Sequence, residues 1–374
     1  MQKLVPFFKC FSTSSASRNK TECRSGTIVE KFPVFSYNEL KAATQQFRPS
    51  NNIGKGHIGS VYKGWLRDGS VVAVKVLSVE FESMRGEREF ISEIAALCDI
   101  RHENLVGLRG CCVDGAKRLL VYDYMPNNSL AKTFLGEEKN RIKFRWKLRK
   151  EISIGVAKGL AYLHEEIKPH IVHRDIKPRN ILLDENFKPK VGDFGLSKLF
   201  RDSNISHLST GVAGTLGYIA PEYALSGHLT RKSDVYSFGV LLMEIVTGCR
   251  AIGFDLQFGE QFLVHKVWEM YKANNLLEMV DKVLEGDFPE EEALVFLKIG
   301  LLCVQETTRL RPNMSSVVKM LMNNEIDING EEEISRPGVI ANLKDVKLGH
   351  NNNNNVSSSA ISPSNASSMS PQPR

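Results

Sequence analysis

Hydrophobic and polar positions repeat with two different periods along the chain. In the first part, the segments SVYKGWL and VVAVKVL show the patterns of β-strands, with apolar and polar residues in alternation or a continuous apolar run. Between them, Arg67-Asp68-Gly69-Ser70 offers an Asp-Gly hairpin turn. The segment GEREFISEIAALCDI has helical periodicity instead, with Phe90, Ile94 and Leu97 on one face and Glu93 among them. These patterns predict strands with one helix between them.

After about Asn127 the pattern becomes mainly helical, as in LRKEISIGVAKGLAYLHEEI, DVYSFGVLLMEIVTG and EEALVFLKIGLLCVQ. Strands followed by helices indicate an α+β chain with two segregated lobes. The composition predicts four regions: a flexible basic segment 1–34, a folded domain 35–323, an extension 324–348 and a disordered Asn/Ser/Pro tail 349–374.

The charge is concentrated at the two ends of the chain. The 374 residues carry a formal charge of +6. Residues 1–31 hold six Lys/Arg against two Glu, and residues 337–374 hold three Lys/Arg against one Asp, so the part between them is neutral. A folded nucleic-acid binder would carry its positive charge on the domain, and this pattern argues against that class of protein.

The cysteines and apolar runs indicate a cytoplasmic protein. Seven cysteines without a C-x-x-C pair favour reduced thiols over a disulfide framework or a zinc site. No apolar run approaches the roughly 20 residues that cross a bilayer. A histidine-based zinc site, from His164, His170 and His173, is also disfavoured because no cysteine joins them.

The N-terminal segment MQKLVPFFKCFSTSSASRNK leaves two interpretations open. It is too short in its apolar part for a secretory signal, and without Gly at position 2 it is not a myristoylation site. It is either a disordered start or a weak anchor at the inner face of the plasma membrane, with Cys10 or Cys23 as candidate lipidation sites.

A glycine run, NNIGKGHIGSVYKG, raises the question of a phosphate site. Gly54, Gly56 and Gly59 alone are weak evidence, because a structural turn explains most such runs. Strand-like sequence on both sides excludes a dinucleotide-binding fold, in which a helix follows the glycines. A glycine hairpin can still lay backbone N–H groups over a phosphate.

Lys75 lies in the middle of the apolar strand VVAVKVL. It shares a strand face with Ala73 and Leu77, which would be the underside of the glycine hairpin. A buried ammonium needs a carboxylate partner, and Glu93 on the apolar helix face is the best candidate. The alternative for Glu93 is an ordinary solvated helix carboxylate.

Two polar segments, IVHRDIKPRNILLD and VGDFGLSK, carry the remaining candidate chemistry. Asn180 and Asp193 offer hard oxygen ligands suited to Mg²⁺, which normally also takes phosphate oxygens. Asp175 is then free to accept a proton from an attacking hydroxyl, and Lys177 to neutralise charge on the transferred group. These roles together are those that phosphoryl transfer requires.

With these motifs the sequence resembles a eukaryotic protein kinase over residues 47 to 323. The matching motifs are G-x-G-x-x-G-x-V (54–61), V-A-V-K (72–75), H-R-D-I-K-x-x-N (173–180), D-F-G (193–195) and A-P-E (220–222). The resemblance implies a two-lobed fold with lobes of about 47–125 and 126–323. It also implies ATP with Mg²⁺ or Mn²⁺, and protein substrates.

Further site residues are implied by the resemblance alone. Asp234 would anchor the catalytic loop, Arg311 would pair with Glu222, and Tyr122 would be the gatekeeper before the hinge 123–125. The implied ATP site comprises Ile53, Gly54, Lys55, Gly56, His57, Ile58, Gly59, Ser60, Val61, Ala73, Lys75, Tyr122, Asp123, Met125 and Leu182.

A narrower resemblance is to plant receptor-like kinases of the cytoplasmic branch. It is carried by FSYNELKAATQQF, LVYDYMPNNSL, GLAYLHEE, GTLGYIAPEYA and SFGVLLMEIVTG, while EISRPGVIANLKD resembles the cold-responsive protein kinases of that branch. Lys177 and Thr215 imply serine/threonine specificity. An upstream receptor kinase is an implied partner.

The 30 residues from Asp193 to Glu222 have little regular pattern, which is typical of a functional loop. Arg174, beside the catalytic Asp, is a ready partner for a phosphate on this loop. Phosphorylation, with Thr210 favoured by family position, is expected to order the segment and raise activity. The hydroxyls considered are Ser203, Ser206, Ser209, Thr210 and Thr215.

Three positions depart from the family pattern. His57 and Ile58 stand where relatives mostly have a glycine and an aromatic residue, which predicts a stiffer hairpin tip and weaker shielding of the terminal phosphate. Gly211 replaces a common arginine, which would alter how the activated loop docks. The rival class is a pseudokinase scaffold, but Lys75 and the other chemical residues are all retained.

Overall fold

The first part of the chain folds into a five-stranded antiparallel sheet. The computed structural model describes residues 32–56, 59–78, 85–136, 138–200, 207–255, 259–326 and 334–339. The strands are β1 (Asn52–Gly56), β2 (Gly59–Trp65), β3 (Val71–Leu77), β4 (Leu108–Asp114) and β5 (Lys117–Asp123), in the order β1-β2-β3-β5-β4. Helix α1 (Tyr37–Ala43) precedes the sheet, and helix α2 (Arg85–Leu97) follows β3.

The sheet is covered on both faces, which explains why β3 is almost continuously apolar. Val72 and Val74 point to one face, where Leu40 of α1 is fully buried with them. Ala73 points to the other face and packs in one cluster with Phe90 of α2. Because side chains alternate along a strand, Lys75 lies on the Ala73 face, towards α2.

The hairpin between β2 and β3 is closed by the predicted Asp-Gly turn. The Leu66 backbone N–H donates to Ser70 O at 2.9 Å, and Asp68 Oδ1 accepts from Ser70 N at 2.9 Å. Gly69 has φ +83°, the left-handed conformation that glycine adopts without steric cost. The turn sets the register in which Val61 of β2 pairs with Lys75 of β3.

The remainder of the described chain is mainly helical. Its helices are α3 (Leu130–Thr133), α4 (Glu138–Arg141), α5 (Trp146–Ala161), α6 (Pro221–Ser226), α7 (Arg231–Thr247), α8 (Leu263–Lys272), α9 (Glu290–Cys303) and α10 (Met314–Asn323). Short strands pair as β6 (His170–Val172) with β9 (Lys198–Phe200), β7 (Ile181–Leu183) with β8 (Pro189–Val191), β10 (Leu208–Ser209) with β11 (His228–Leu229), and β12 (Ile252–Asp255) with β13 (Gly259–Phe262).

Helix α7 is the centre of the helical part. It begins at the N-cap Thr230, whose side chain accepts from Lys232 N in a capping box with Ser233. Nearly all its side chains are buried, and it crosses α9 closely at Gly239. A Cβ at Gly239 would lie 2.7 Å from Cys303 Cβ, so only glycine allows this approach.

The fold confirms the predicted α+β class with a strand-rich first part and a helical second part. The helix predicted over 148–167 is shorter than expected, because α5 ends at Ala161 and a π-helical turn, Tyr162–Glu166, follows. Among the described residues, no helix is both long and apolar enough to cross a bilayer.

Candidate active site

Lys75, Glu93 and Asp193 meet between the sheet and the helical part. Lys75 Nζ lies 2.5 Å from Glu93 Oε1 and 2.9 Å from Asp193 Oδ1. Glu93 is 0% exposed, whereas the Asp193 side chain is 48% exposed. Desolvation opposes the charge on Lys75, but the two carboxylates outweigh it and raise the pKa of the ammonium above its ordinary value. Lys75 is therefore a fixed positive charge at the mouth of the site.

Glu93 has a second partner, Tyr122, which the sequence analysis predicted as the gatekeeper. The Tyr122 hydroxyl donates to Glu93 Oε2, so both carboxylate oxygens are bound. Tyr122 is on β5, opposite Ala73 of β3, with its phenol buried under the sheet. Burial, followed by the nearby Glu93 charge, raises the pKa of Tyr122 well above its ordinary value, so the phenol remains a hydrogen-bond donor.

The backbone around Asp193 holds its carboxylate towards Lys75. Asp193 follows β8 with φ 64° and ψ 72°, a left-handed conformation that is rare for a non-glycine residue. Phe194 is fully buried, and its ring lies 4.8 Å from the His173 ring. Ser92 Oγ of α2 lies 3.1 Å from Phe194 O, so the helix that carries Glu93 is tied to the segment that carries Asp193.

Asp234 fixes the loop that carries Asp175. Its carboxylate is fully buried and accepts from the backbone N–H groups of His173 at 2.7 Å and Arg174 at 2.8 Å. His164 Nε2 lies 2.9 Å from the same carboxylate. Burial opposes ionisation, but the His164 contact and the backbone donors together hold the pKa of Asp234 below its ordinary value.

The Asp175 carboxylate is surrounded by donors. Lys177 Nζ lies 2.7 Å from Asp175 Oδ2, and Thr215 Oγ1 donates to Oδ1 at 2.7 Å. Lys177 Nζ also donates to Thr215 Oγ1 at 2.6 Å, which closes a ring of three side chains. Asn180 Nδ2 donates to Asp175 O at 2.8 Å and to Oδ2 at 3.0 Å. Asp175 is thus oriented by groups from two distant parts of the chain.

Asn180 and Asp193 fit a divalent cation bound with a phosphate. The amide nitrogen of Asn180 is the atom that contacts Asp175, which leaves the carbonyl oxygen for a metal. Asp193 uses Oδ1 on Lys75, and its half-exposed carboxylate retains Oδ2. Two oxygen donors without nitrogen or sulfur suit Mg²⁺ or Mn²⁺, which complete their coordination with phosphate and water.

The residues predicted to hold an adenine ring belong to one apolar cluster, to which both the sheet and the helical part contribute. Ala73 is buried, and Ile53, Val61, Met125 and Leu182 are half-buried in the same cluster. Of the other predicted ATP-site positions, Gly54, Lys55 and Gly56 lie in β1, Gly59 and Ser60 lie in β2, and Asp123 ends β5. The backbone N–H of Asp123 donates to Gly107 O at 3.0 Å, and its carboxylate lies 2.5 Å from Arg109 Nε.

Arg174 contacts both ends of the segment 193–222. Its guanidinium donates to Leu196 O at 3.1 Å and to Gly211 O at 2.8 Å, and its Nε donates to Tyr223 Oη at 3.0 Å. The Gly211 contact places the guanidinium one residue from Thr210, which is half-buried and donates its N–H to Gly227 O. Ser209 is exposed in β10.

The Glu222 carboxylate at the start of α6 forms a bidentate pair with Arg311. Arg311 Nη1 and Nη2 lie 2.8 Å from Oε1 and Oε2 of Glu222. The Arg311 side chain is fully buried and also donates from Nε to Gln305 O at 2.7 Å. This pair joins the end of the segment 193–222 to the loop after α9.

Several predicted positions lie outside the described residues. They are the hairpin-tip residues His57 and Ile58, the phosphosite candidates Ser203 and Ser206, the N-terminal Cys10 and Cys23, and the tail 349–374. Of the three histidines considered for zinc, His164 contacts Asp234, and His173 Nε2 lies 3.1 Å from Gly192 O. Among the described residues, no group of three His, Cys, Asp or Glu side chains could hold a metal ion.

The structure adds three relationships that the sequence patterns do not contain. Ser92 contacts the Phe194 backbone, Tyr122 binds Glu93, and Thr215 bridges Asp175 and Lys177. A buried phenol on an apolar strand signals that Tyr122 requires an acceptor, although not which one. Ser92 and Phe194 are 102 residues apart in the sequence, and Thr215 and Asp175 are 40 residues apart. No local sequence pattern indicates contacts between residues so far apart.

These features define a protein kinase fold and site, and comparison with known proteins agrees. A family model described as protein tyrosine and serine/threonine kinase matches residues 47–321. The chain therefore belongs to the protein kinase family and is an enzyme of that class, which uses ATP with a divalent metal and acts on protein substrates.

Two relatives confirm the narrower resemblance. Cold-responsive protein kinase 1 of Arabidopsis thaliana is 50% identical over 343 residues, which cover 91% of this chain and 86% of that protein. The Arabidopsis thaliana "Probable LRR receptor-like serine/threonine-protein kinase At1g56130" is 47% identical over 311 residues, which cover 83% of this chain but 29% of that receptor. Nothing in these comparisons favours the pseudokinase scaffold.

Proposed function

We propose that this chain transfers the γ-phosphoryl group of ATP to serine and threonine hydroxyls of proteins, with Asp175 as the group that receives the hydroxyl proton. The observation that carries this proposal is the joining of Asp175, Lys177 and Thr215 in one hydrogen-bonded ring. An acceptor hydroxyl must approach within hydrogen-bond reach of the base that takes its proton, so it would replace Thr215 or Lys177 at one Asp175 oxygen.

The other site residues act by positioning and by electrostatics. Lys75, held by Glu93, presents a positive charge to the ATP phosphates, and Lys177 neutralises charge on the transferred group. The apolar side chains clustered around Ala73 would pack against the adenine ring. The acceptor oxygen gains a bond to phosphorus, the bond to the leaving ADP oxygen breaks, and the acceptor proton passes to Asp175.

Asn180 and Asp193 would hold Mg²⁺ through their free oxygens. When bound, the cation supplies charge neutralisation on the β- and γ-phosphates. The Asp193 carboxylate suits this role because the Lys75 ammonium, against an opposing effect of burial, keeps its pKa below the ordinary value. Asp193 is therefore an anion throughout the neutral pH range.

The test is a radiolabelled-ATP transfer assay on the purified full chain. Asp175→Asn and Lys75→Met should each lower transfer by a factor of about 100 or more, since each removes a charged group from the reacting centre. The exposed residues Asp114 and Lys132 give matched controls, Asp114→Asn and Lys132→Met, which should retain wild-type transfer. Wild-type rates in both site variants would refute the assigned roles.

We also infer that phosphorylation of Thr210 raises activity. A phosphate there would lie beside the Arg174 guanidinium, which already contacts the next residue, Gly211. Thr215 is proposed as a positioning residue instead of a phosphosite, because its hydroxyl is bound by both Asp175 and Lys177. Phosphatase treatment should lower the rate of the wild-type chain and leave Thr210→Ala unaffected.

An upstream receptor kinase is proposed as the source of that phosphate, by analogy with the receptor-like relatives. We further propose peripheral attachment to the inner face of the plasma membrane through the basic N-terminal segment. Fractionation of Cys10→Ser beside the wild-type chain tests this attachment, and an unchanged distribution would count against lipidation of Cys10.

A further inference from the structure

A segment beyond the last helix packs on the helical part of the fold. We name residues 334–339 the C-terminal strap. It lies outside residues 47–321, which match the kinase family model. Ile334, Pro337 and Gly338 are buried, whereas the Arg336 side chain is exposed. Because these residues are buried although they lie outside the family model, we infer that the strap docks specifically on the folded domain.

The strap is held by directional hydrogen bonds to the loop after α9. Gln305 Oε1 accepts from Ser335 Oγ at 2.7 Å and from Ser335 N at 3.1 Å. Glu306 N donates to Arg336 O at 3.0 Å, and Gly338 N donates to Val304 O at 2.9 Å. Backbone groups and side chains thus fix the register of the strap.

The strap shares its supports with the Glu222–Arg311 ion pair. The backbone carbonyl of Gln305 accepts from Arg311 Nε at 2.7 Å, while its side chain binds the strap. Tyr236 of α7 donates its buried hydroxyl to Gly338 O at 2.8 Å, and the Arg311 guanidinium lies 5.0 Å from the Tyr236 ring. Displacement of the strap would therefore loosen both supports of Arg311.

The strap also reaches the segment that follows Thr215. We name residues 215–219 the acceptor loop, because the Thr215 hydroxyl binds Asp175 and the residues after it must flank an incoming hydroxyl. Val339 lines a narrow cavity with Leu216, Gly217 and Ile219. Val339 therefore lies beside the acceptor loop, on the opposite side of one shared cavity.

Gly338 is tightly packed at the point where the strap passes α6. A Cβ at Gly338 would lie 3.1 Å from Pro221 Cγ and 3.2 Å from Glu306 Cα. Both contacts are tighter than ordinary van der Waals contact, so a Cβ fits here only if the strap or its neighbours move by a few tenths of an ångström. An alanine at this position would push the strap away from Pro221 and the acceptor loop.

We propose that the C-terminal strap is a positioning element for the protein substrate. By supporting the acceptor loop and the Glu222–Arg311 pair, it sets the affinity for the acceptor protein and leaves ATP binding unchanged. The proposal rests on the assignment of Asp175 as the proton acceptor. It makes a segment outside the family model a support of the substrate-binding surface.

The test compares full-length variants in steady-state kinetics, with a serine peptide selected with the wild-type enzyme from an oriented library. Gly338→Ala crowds the strap against Pro221 and Glu306, and Val339→Ala shortens the side chain that lines the cavity shared with the acceptor loop. Arg336→Ala is the matched control, since it changes an exposed side chain of the same segment. KM for the peptide, KM for ATP and ATP hydrolysis without peptide are measured for each variant.

Gly338→Ala and Val339→Ala should raise the peptide KM about three- to tenfold, the size expected from the loss of one buried contact or hydrogen bond. The ATP KM and peptide-independent ATP hydrolysis should stay at wild-type values, as should all constants of Arg336→Ala. An unchanged peptide KM in both strap variants would overturn the proposal. A parallel loss of ATP hydrolysis would also overturn it, because it would show general structural damage. A wild-type chain without transfer, or an active Asp175→Asn variant, would instead refute the proposed function.

Discussion

The Tyr122 hydroxyl and the Lys75 ammonium bind opposite oxygens of the same carboxylate, that of Glu93. Tyr122 is on β5 and Lys75 is on the neighbouring strand β3, so the sheet holds Glu93 at two points. Because Glu93 is on α2, this contact also fixes the helix against the sheet. The position of α2 then determines where Lys75 and Asp193 meet.

Tyr122→Phe should therefore lower activity without removing any group that touches the substrate. The change leaves Glu93 Oε2 buried without a donor, which costs about 1–3 kcal/mol, and allows α2 to shift. We expect kcat to fall about three- to tenfold with a lower melting temperature. Tyr124→Phe, which keeps its ring near Lys63, is the control. Equal kinetics and equal melting temperatures for the two variants would contradict the role of Tyr122.

Thr215 should tolerate serine but not valine. Thr215→Val has nearly the same shape but loses the hydroxyl that bridges Asp175 and Lys177. Hydrogen bonds to charged groups are worth about 1.5–3 kcal/mol, so kcat should fall by roughly 10- to 100-fold. Thr215→Ser keeps the bridge and should stay within about threefold of wild type.

If Thr215 were a phosphorylation site instead of a positioning residue, different results would be expected. It requires that phosphate be detected on Thr215 by mass spectrometry in the active enzyme, and that phosphatase treatment lower the rate of a Thr210→Ala variant. Phosphate on Thr215 in the active enzyme, together with this loss of rate, would displace the positioning role proposed above.

The fold could be predicted from sequence to a large extent because its signals are local. The Asp-Gly turn at Asp68 and the apolar strand around Lys75 each follow from a few neighbouring residues, and the structure has both. Helix α7 was recognisable from its unbroken apolar pattern, although its true start at Arg231 depends on the Thr230 capping box. The early end of α5 at Ala161 has no counterpart in the helical periodicity, which continues beyond it.

The candidate site was predictable as a set of residues but not as a network. Motif spacing pointed to Lys75, Asp175, Asn180 and Asp193, because those side chains are too polar for their apolar surroundings. The partners that orient them come from contacts between distant elements. Gln305 is an example, since a glutamine at the end of an apolar helix gives no sign that it binds both the strap and the Arg311 loop.

Glu244 should make the stability of the protein depend on pH. Its carboxylate is 1% exposed on α7, where Oε1 accepts from Tyr218 Oη and Ala251 N, both at 2.8 Å. Burial outweighs these hydrogen bonds and raises the pKa of Glu244 from 4.5 to about 8. In the unfolded chain the group loses its proton near pH 4.5, so between pH 4.5 and 8 the folded state holds more protons than the unfolded state.

The contribution of this group to stability is therefore full below pH 4.5 and is lost as the pH rises to about 8. Glu244→Gln removes the titration, so the variant should gain stability relative to wild type between pH 6 and pH 8 in urea unfolding. Glu278→Gln, at an exposed position, should change little across the same range. If the difference in unfolding free energy between the wild type and Glu244→Gln is the same at every pH, this assignment is wrong.

Arg149 should be essential for stability but not for chemistry. Its guanidinium is 1% exposed and donates to Phe144 O at 2.8 Å, to Ile245 O at 3.0 Å and to Asp281 Oδ2 at 2.8 Å. Arg149→Met deprives the buried Asp281 of this partner, and the breaking of a buried pair typically costs about 3–5 kcal/mol. Urea unfolding should show this loss, while Lys147→Met, at an exposed position of the same helix, should not. Because Arg149 contacts none of the site residues described above, kcat of the folded fraction should remain at the wild-type value. A stable Arg149→Met variant would show that Arg141, 3.2 Å from the same Asp281 oxygen, is sufficient to hold that carboxylate.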